Sequence, residues 1–137
     1  MSKQAAQDSD AALSLILRRA ENSLRQRLQP ALDVEGLLFE HWQIMAVLLA
    51  KPGLRMSAIA DAAVLPPATL TRHMDKLVEH ALVIRRIDPD DKRSTVVALS
   101  ARGATFAGQL RAVEQELVSS LGPKHYTSLV GELTRLS

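Results

Sequence analysis

Apolar side chains recur near the start of the chain at gaps of three and four: Leu13, Leu17, Ala20, Leu24 and Leu28, with Arg18, Arg19, Arg25 and Arg27 between them. That spacing predicts an amphipathic helix over residues 10–29, ended by Pro30. Residues 33–38 read as a loop containing Gly36. A second helix over 39–50 buries Trp42, Met45, Ala46 and Leu49 and closes at Lys51-Pro52-Gly53. A short third helix over 57–63 turns Ile59, Ala60 and Ala63 inward. In Val64-Leu65-Pro66-Pro67 the residue before each proline is pushed out of the helical region, so this is a turn, and a proline suits the first position of the next helix. That fourth helix runs from Pro67 to about His80. Leu70, Met74, Leu77 and Val78 face inward, and Thr69, Thr71, Arg72, Asp75 and Lys76 face solvent.

The period then changes. Residues 82–87 and 94–99 are rich in β-branched side chains and flank the polar, turn-forming run Asp88-Pro89-Asp90-Asp91-Lys92-Arg93, which predicts a β-hairpin with a charged tip. A long helix over 104–121 follows, with a seam of Phe106, Leu110, Val113, Leu117 and Leu121, broken by Gly122-Pro123. A last helix carries Tyr126, Leu129, Val130, Leu133 and Leu136. The fold class is therefore mainly α: a winged helix-turn-helix with a two-stranded hairpin wing, flanked by N- and C-terminal helices. Residues 37–103 form the reader and residues 10–36 and 104–137 the flanking helices of one domain. The terminal seams, at Leu13, Leu17, Leu24, Leu117, Leu121, Tyr126, Leu129 and Leu133, exceed what so small a reader covers, and they predict a homodimer interface.

Composition narrows the chemistry. Aromatic residues make up only 3% of the chain, so aliphatic side chains fill the core. The absence of cysteine removes disulfides and thiolate metal sites and fits a reducing compartment. No apolar run reaches membrane-spanning length, and residues 1–10 are polar with acids, unlike a targeting segment, so a cytoplasmic location without membrane contact is expected. Nothing assembles into a catalytic constellation: there is no Gly-rich phosphate loop, no paired nucleophile and base, and no cofactor motif. His73 and His80, seven apart with Glu79 adjacent, are the nearest approach to a metal site. Without a third ligand they read as surface histidines.

A short helix, a tight turn and a helix with a polar N-terminal half are the parts that place a recognition helix in the major groove, and a basic hairpin tip beside them can reach a minor groove. From Pro66 to Arg102 seven basic residues stand against five acidic ones, a poor nonspecific polycation. Position therefore matters more than total charge. In the helix, Thr69, Thr71 and Arg72 are the candidate base readers and Lys76 a candidate phosphate contact, with Pro67 at the entry. In the wing, Arg85, Lys92, Arg93 and Ser94 face DNA, and Asp91, two residues before Arg93, is placed to hold its guanidinium bidentately.

The run Thr69-Leu70-Thr71-Arg72-His73-Met74-Asp75-Lys76-Leu77, then Leu82-Val83-Ile84-Arg85-Arg86, then Asp88-Pro89-Asp90-Asp91-Lys92-Arg93-Ser94, ending at Ala98-Leu99-Ser100-Ala101-Arg102-Gly103, resembles the multiple-antibiotic-resistance regulator (MarR) family of winged-helix repressors. The resemblance implies a dimer on double-stranded DNA, repressing until a small aromatic or otherwise anionic effector enters a cleft between dimer and reader regions. Trp42 and Tyr126 are candidate cleft residues, against core packing for Trp42 and dimer packing for Tyr126, and His41 beside Trp42 is a candidate contact for an anionic effector. Two positions depart from the family pattern: Pro66 stands where a capping Ser or Thr is frequent, and Ala81 where a Gly would end the recognition helix. Leu38 and Arg55 likewise lack capping oxygens. The competing readings are a winged-helix protein-interaction module and a metal-sensing regulator.

Overall fold

The structure, a computed structural model, describes residues 10–137. The polar opening segment, apart from Asp10, lies outside the described residues. The elements in chain order are α1 (Leu13–Asp33), α2 (Phe39–Ala50), α3 (Met56–Ala63), α4 (Pro67–Glu79), β1 (Val83–Asp88), β2 (Asp91–Leu99), α5 (Ala101–Val118), a 3-10 turn (Ser119–Leu121) and α6 (Pro123–Thr134). Among these elements no helix is long and apolar enough to cross a membrane.

The first correction concerns Pro30, which does not end α1. The helix passes through it for another turn because Leu28 and Leu32, one turn apart, are both fully buried. Carrying Leu32 into the core offsets the one backbone bond a proline forfeits. Gln29 supports the segment by donating to Asp33 Oδ1 at 2.7 Å.

The core is aliphatic. Leu28 and Leu32 of α1, Ile44, Met45 and Leu48 of α2, Ile59 of α3, Leu70, Met74 and Leu77 of α4 and Leu110 of α5 are all essentially inaccessible. Val78, expected inside, is exposed, and His73 takes the buried place on α4 instead. The long helix starts three residues earlier than its periodicity suggested. Ser100 is its N-cap, accepting the Gly103 N–H at 2.9 Å while its hydroxyl donates to Ala81 O at 2.7 Å.

Two turns adopt the left-handed conformation without glycine. Ala81 has φ +58°, and the Leu82 N–H to Leu77 O and Ala81 N–H to Val78 O bonds around it form a Schellman ending for α4. Val64, at the end of α3, has φ +55°, an outlier for a β-branched residue. The strands pair antiparallel from Val83 with Leu99 to Ile87 with Thr95, and then Asp88 with Asp91. That step leaves residues 92–94 bulged out of β2. Leu54, in the loop before α3, exchanges both backbone bonds with Val97 and fastens the wing to the helical body.

Candidate nucleic-acid interface

The α3–turn–α4 unit and the hairpin lie next to each other in chain order and in space. With Leu70, His73, Met74 and Leu77 turned inward, the exposed stripe of α4 is Ala68, Thr71, Arg72 and Asp75, one helical face by its spacing of three and four. Pro67, at the first position of α4, is exposed; Thr69 is half-buried at the flank. The Thr71 hydroxyl donates back to Pro67 O at 3.0 Å, which leaves an acceptor lone pair and a methyl outward. Pro66 does serve as N-cap, without a side-chain bond.

Lys76 is otherwise engaged. Its Nζ donates to Gly36 O at 2.7 Å, in the loop between α1 and α2. Two further contacts land on the same loop: Arg102 pairs with Glu35 and donates to His80 O, and His80 Nδ1 lies 3.5 Å from Glu35. The Arg102 bond is the first cause holding the Glu35 carboxyl below the usual carboxylate range. The C-terminal half of α4 is thus stitched to the end of α1.

The wing is ordered by acids. Asp88 is 7% exposed and accepts the Asp90 N–H at 2.9 Å and two guanidinium bonds from Arg55, at 3.0 and 2.8 Å. The Asp90 amide and then Arg55 hold its carboxyl below the usual range. Arg55, at the start of α3, therefore sets the wing against the helix-turn-helix. Asp91 accepts the Arg93 backbone N–H at 3.1 Å and the Ser94 hydroxyl at 3.2 Å, with Arg55 3.8 Å away. The expected bidentate hold on Arg93 is not formed: its Nε stands 3.6 Å from Asp91 Oδ1, and the side chain is 95% exposed. Asp91 shapes the backbone of the tip, and the guanidinium is left free to reach outward. Lys92 is exposed beside it, and Arg85 pairs with Asp75 of α4 at 3.2 Å.

Neither Arg55 nor the buried place of His73 was anticipated. The Asp-Pro-Asp turn did signal an aspartate bonding two residues ahead, but nothing local marks Arg55, 33 residues earlier, as its partner. His73 is 8% exposed and faces His41 at 3.2 Å, so it is no surface histidine. Among the described residues no group of three or more His, Cys, Asp or Glu side chains is placed to hold a metal ion.

A cleft of about 210 Å³ opens between α2, α5 and α6, lined by Trp42, Ala46, Leu49, Arg111, Glu114 and Tyr126 among others. The Trp42 indole donates to Glu114 at 3.3 Å. His41 does not line it, because the ring is 1% exposed and both its nitrogens are occupied by Leu38 and His73. At the two ends of the chain, Leu13, Leu17, Leu121 and Leu129 are 40–50% exposed, and no residue of α6 is buried. Leu117, Tyr126 and Leu133 are half-buried, and Leu24 packs on the chain's own core.

Comparison with known proteins places these features. Residues 35–94 match the model of the MarR family. The transcriptional regulator HosA of Escherichia coli is 31% identical, over 65% of this chain and 77% of that protein. Two solved structures share the fold: NadR in complex with 4-hydroxyphenylacetate, at a TM-score of 0.81 and 22% identity over 92% of each chain, and the repressor CouR bound to a 23-mer DNA duplex, at 0.72 and 20% over 94% of each. The helix-turn-helix, the acid-braced wing and the unburied terminal helices thus have one common setting, and this chain belongs to the MarR family of transcriptional regulators, which are not enzymes.

Proposed function

We propose that the chain acts in the cytoplasm as a homodimer joined through α1, α5 and α6, and binds a pseudo-palindromic operator as a repressor relieved by a small aromatic anion. The observation that carries this is the pairing of two outward-facing elements: the stripe Ala68, Thr71, Arg72 and Asp75 on α4, and Arg93 on a wing that acids and Arg55 hold in place. Residues 37–103 are the reader, and Pro67, Thr69, Lys92 and Ser94 flank its contact surface. Arg85 and Lys76, both engaged within the protein, act by positioning.

The dimer explains why α6 buries nothing of its own and why leucines at both ends lie open, since an apolar surface of that kind is stable in water once a second copy covers it. The effector reading is supported by the cleft beside Trp42 and Tyr126, where Arg111 supplies a cation and Glu114 is taken up by the indole. That NadR was crystallised with 4-hydroxyphenylacetate recommends aromatic carboxylates as the first panel.

Selection of genomic fragments by the purified chain tests the reading. It should return inverted half-sites about 10 bp apart or a multiple of that. Light scattering should give twice the chain mass. A monomer at micromolar concentration, or recovery of no sequence above nonspecific DNA, would refute it.

A further inference from the structure

Two imidazoles form a buried pair where α2 meets α4, and neither faces DNA nor the cleft. His41 stands third in α2. Its Nδ1 accepts the Leu38 N–H at 2.8 Å, and its Nε2 lies 3.2 Å from His73 Nδ1, the rings meeting edge to face at 82°. The hydrogen bonds assign the protons. Because Nδ1 of His41 accepts a backbone N–H, the neutral ring carries its proton on Nε2 and donates it to His73 Nδ1, and His73 carries its own on Nε2.

The pair therefore offers two acceptor nitrogens, each already facing an N–H. An added proton on His41 Nδ1 confronts Leu38; one on His73 Nδ1 confronts His41. Moving the His41 proton from one end of the ring to the other only transfers the loss. Every protonated arrangement breaks either the N-terminal cap of α2 or the bridge to α4, and it buries a charge among poor partners. The charged and titratable groups facing the pair are Glu40 on α2, whose carboxylate Arg25 of α1 holds at 3.0 Å, and Arg72, Lys76 and His80 on α4.

We infer that the His41–His73 pair is a proton-sensitive latch: while both rings are neutral it holds α4 in its reading position, and acidification releases the helix. The inference rests on the reading of α4 as the DNA-contacting helix. Burial, followed by the His73 and Lys76 charges, pushes His41 down to about 4, and burial lowers His73 as well. Once unlatched, each ring returns to its ordinary value near 6.5. Between pH 7.5 and 5.5 His41 alone raises the ratio of unlatched to latched protein about tenfold, and the lowered His73 adds in the same direction.

The test is operator affinity of the full chain at fixed salt at those two pH values. The wild type should bind more weakly at the lower pH, by up to about tenfold through His41 and further in the same direction through His73. His41→Gln keeps an oxygen for the Leu38 N–H, as a capping box does at this helix position, and an N–H for His73. Combined with His73→Gln it removes both titrations, so this double variant should match the wild type at pH 7.5 and hold its affinity at pH 5.5. A pH-independent wild type, or a double variant that falls as steeply, overturns the latch.

Should the double variant not fold, imidazole NMR titration of the wild type without DNA decides. Both rings as Nε2–H tautomers, with α4 amides losing protection as they protonate, support the latch; ordinary titration near 6.5 with α4 undisturbed overturns it. A chain that shows the latch by NMR yet binds no DNA refutes the role of α4 and leaves the latch standing.

Discussion

Gly103→Ala should destabilise the protein, although alanine is the better helix former. Gly103 lies in the first turn of α5, where a Cβ would overlap the Leu82 carbonyl oxygen and stand 2.8 Å from Leu82 C. These are backbone atoms of a fully buried residue, so no side-chain rotation makes room. Relief requires α5 to draw away from the chain entering β1. That movement strains the Ser100 N–H to Leu82 O bond of 3.0 Å and the Ser100 cap on the Gly103 N–H. The helix-propensity gain is about 1 kcal/mol. Against it stand overpacking of about 1–3 kcal/mol, a lost cap of about 1 and a weakened backbone bond of about 1, which leaves a net loss of about 2–4 kcal/mol. Gly108 on the same helix is the control: nothing lies within 4 Å of its Cβ position, so Gly108→Ala should gain about 1 kcal/mol. Urea unfolding at one fixed protein concentration measures both. Equal shifts for the two alanines, or a Gly103→Ala protein as stable as the wild type, would show that the close approach to Leu82 is not a constraint.

Ala81→Gly should stabilise by about 0.5–1 kcal/mol in the same assay, since Ala81 is exposed and its Cβ is strained at φ +58°. Asp91→Ala should weaken operator binding even though it removes a negative charge near phosphate, because the Arg93 and Ser94 bonds that shape the tip are lost; tighter binding would refute that role. Arg93→Lys should also bind less well at equal charge, as an ammonium gives up more hydration on entering a narrow groove. The depressed His41 value implies that its share of stability is complete above about pH 6.5 and is lost as pH falls toward 4, where the unfolded ring takes a proton and the folded one does not. Wild type minus His41→Gln should then show a difference growing by at most about 1.4 kcal/mol per pH unit in that window, and by less once unlatching lets the folded ring take the proton too.

The elements with local signals were legible. Pro66-Pro67 marked the approximate start of α4, which is Pro67, and Asp-Pro-Asp-Asp marked the wing tip, because turn chemistry acts within four residues. Pro30 misled because the burial of Leu32, a tertiary effect, overrode a local rule. His73 was half legible: it sits three after Leu70 and four before Leu77, on the apolar stripe. Its partner is 32 residues away, and no spacing rule connects them. Comparably long separations hid Arg55 from Asp88 and Leu54 from Val97.

The three stitches from Lys76, His80 and Arg102 onto Glu35 and Gly36 tie the C-terminal half of α4 to the corner between α1 and α2, so a rigid turn of α4 would have that corner as its pivot. The reading end of α4 lies roughly 16 Å from that pivot at 1.5 Å per residue, so a turn of roughly 12° carries it about 3.4 Å, one base step. In a two-fold assembly the pivots move together and the spacing between the two readers changes by twice the component along the duplex. On the proposed reading the corner would act as the fixed end of a lever, and an operator of fixed half-site spacing would be a gauge that accepts only one of its settings.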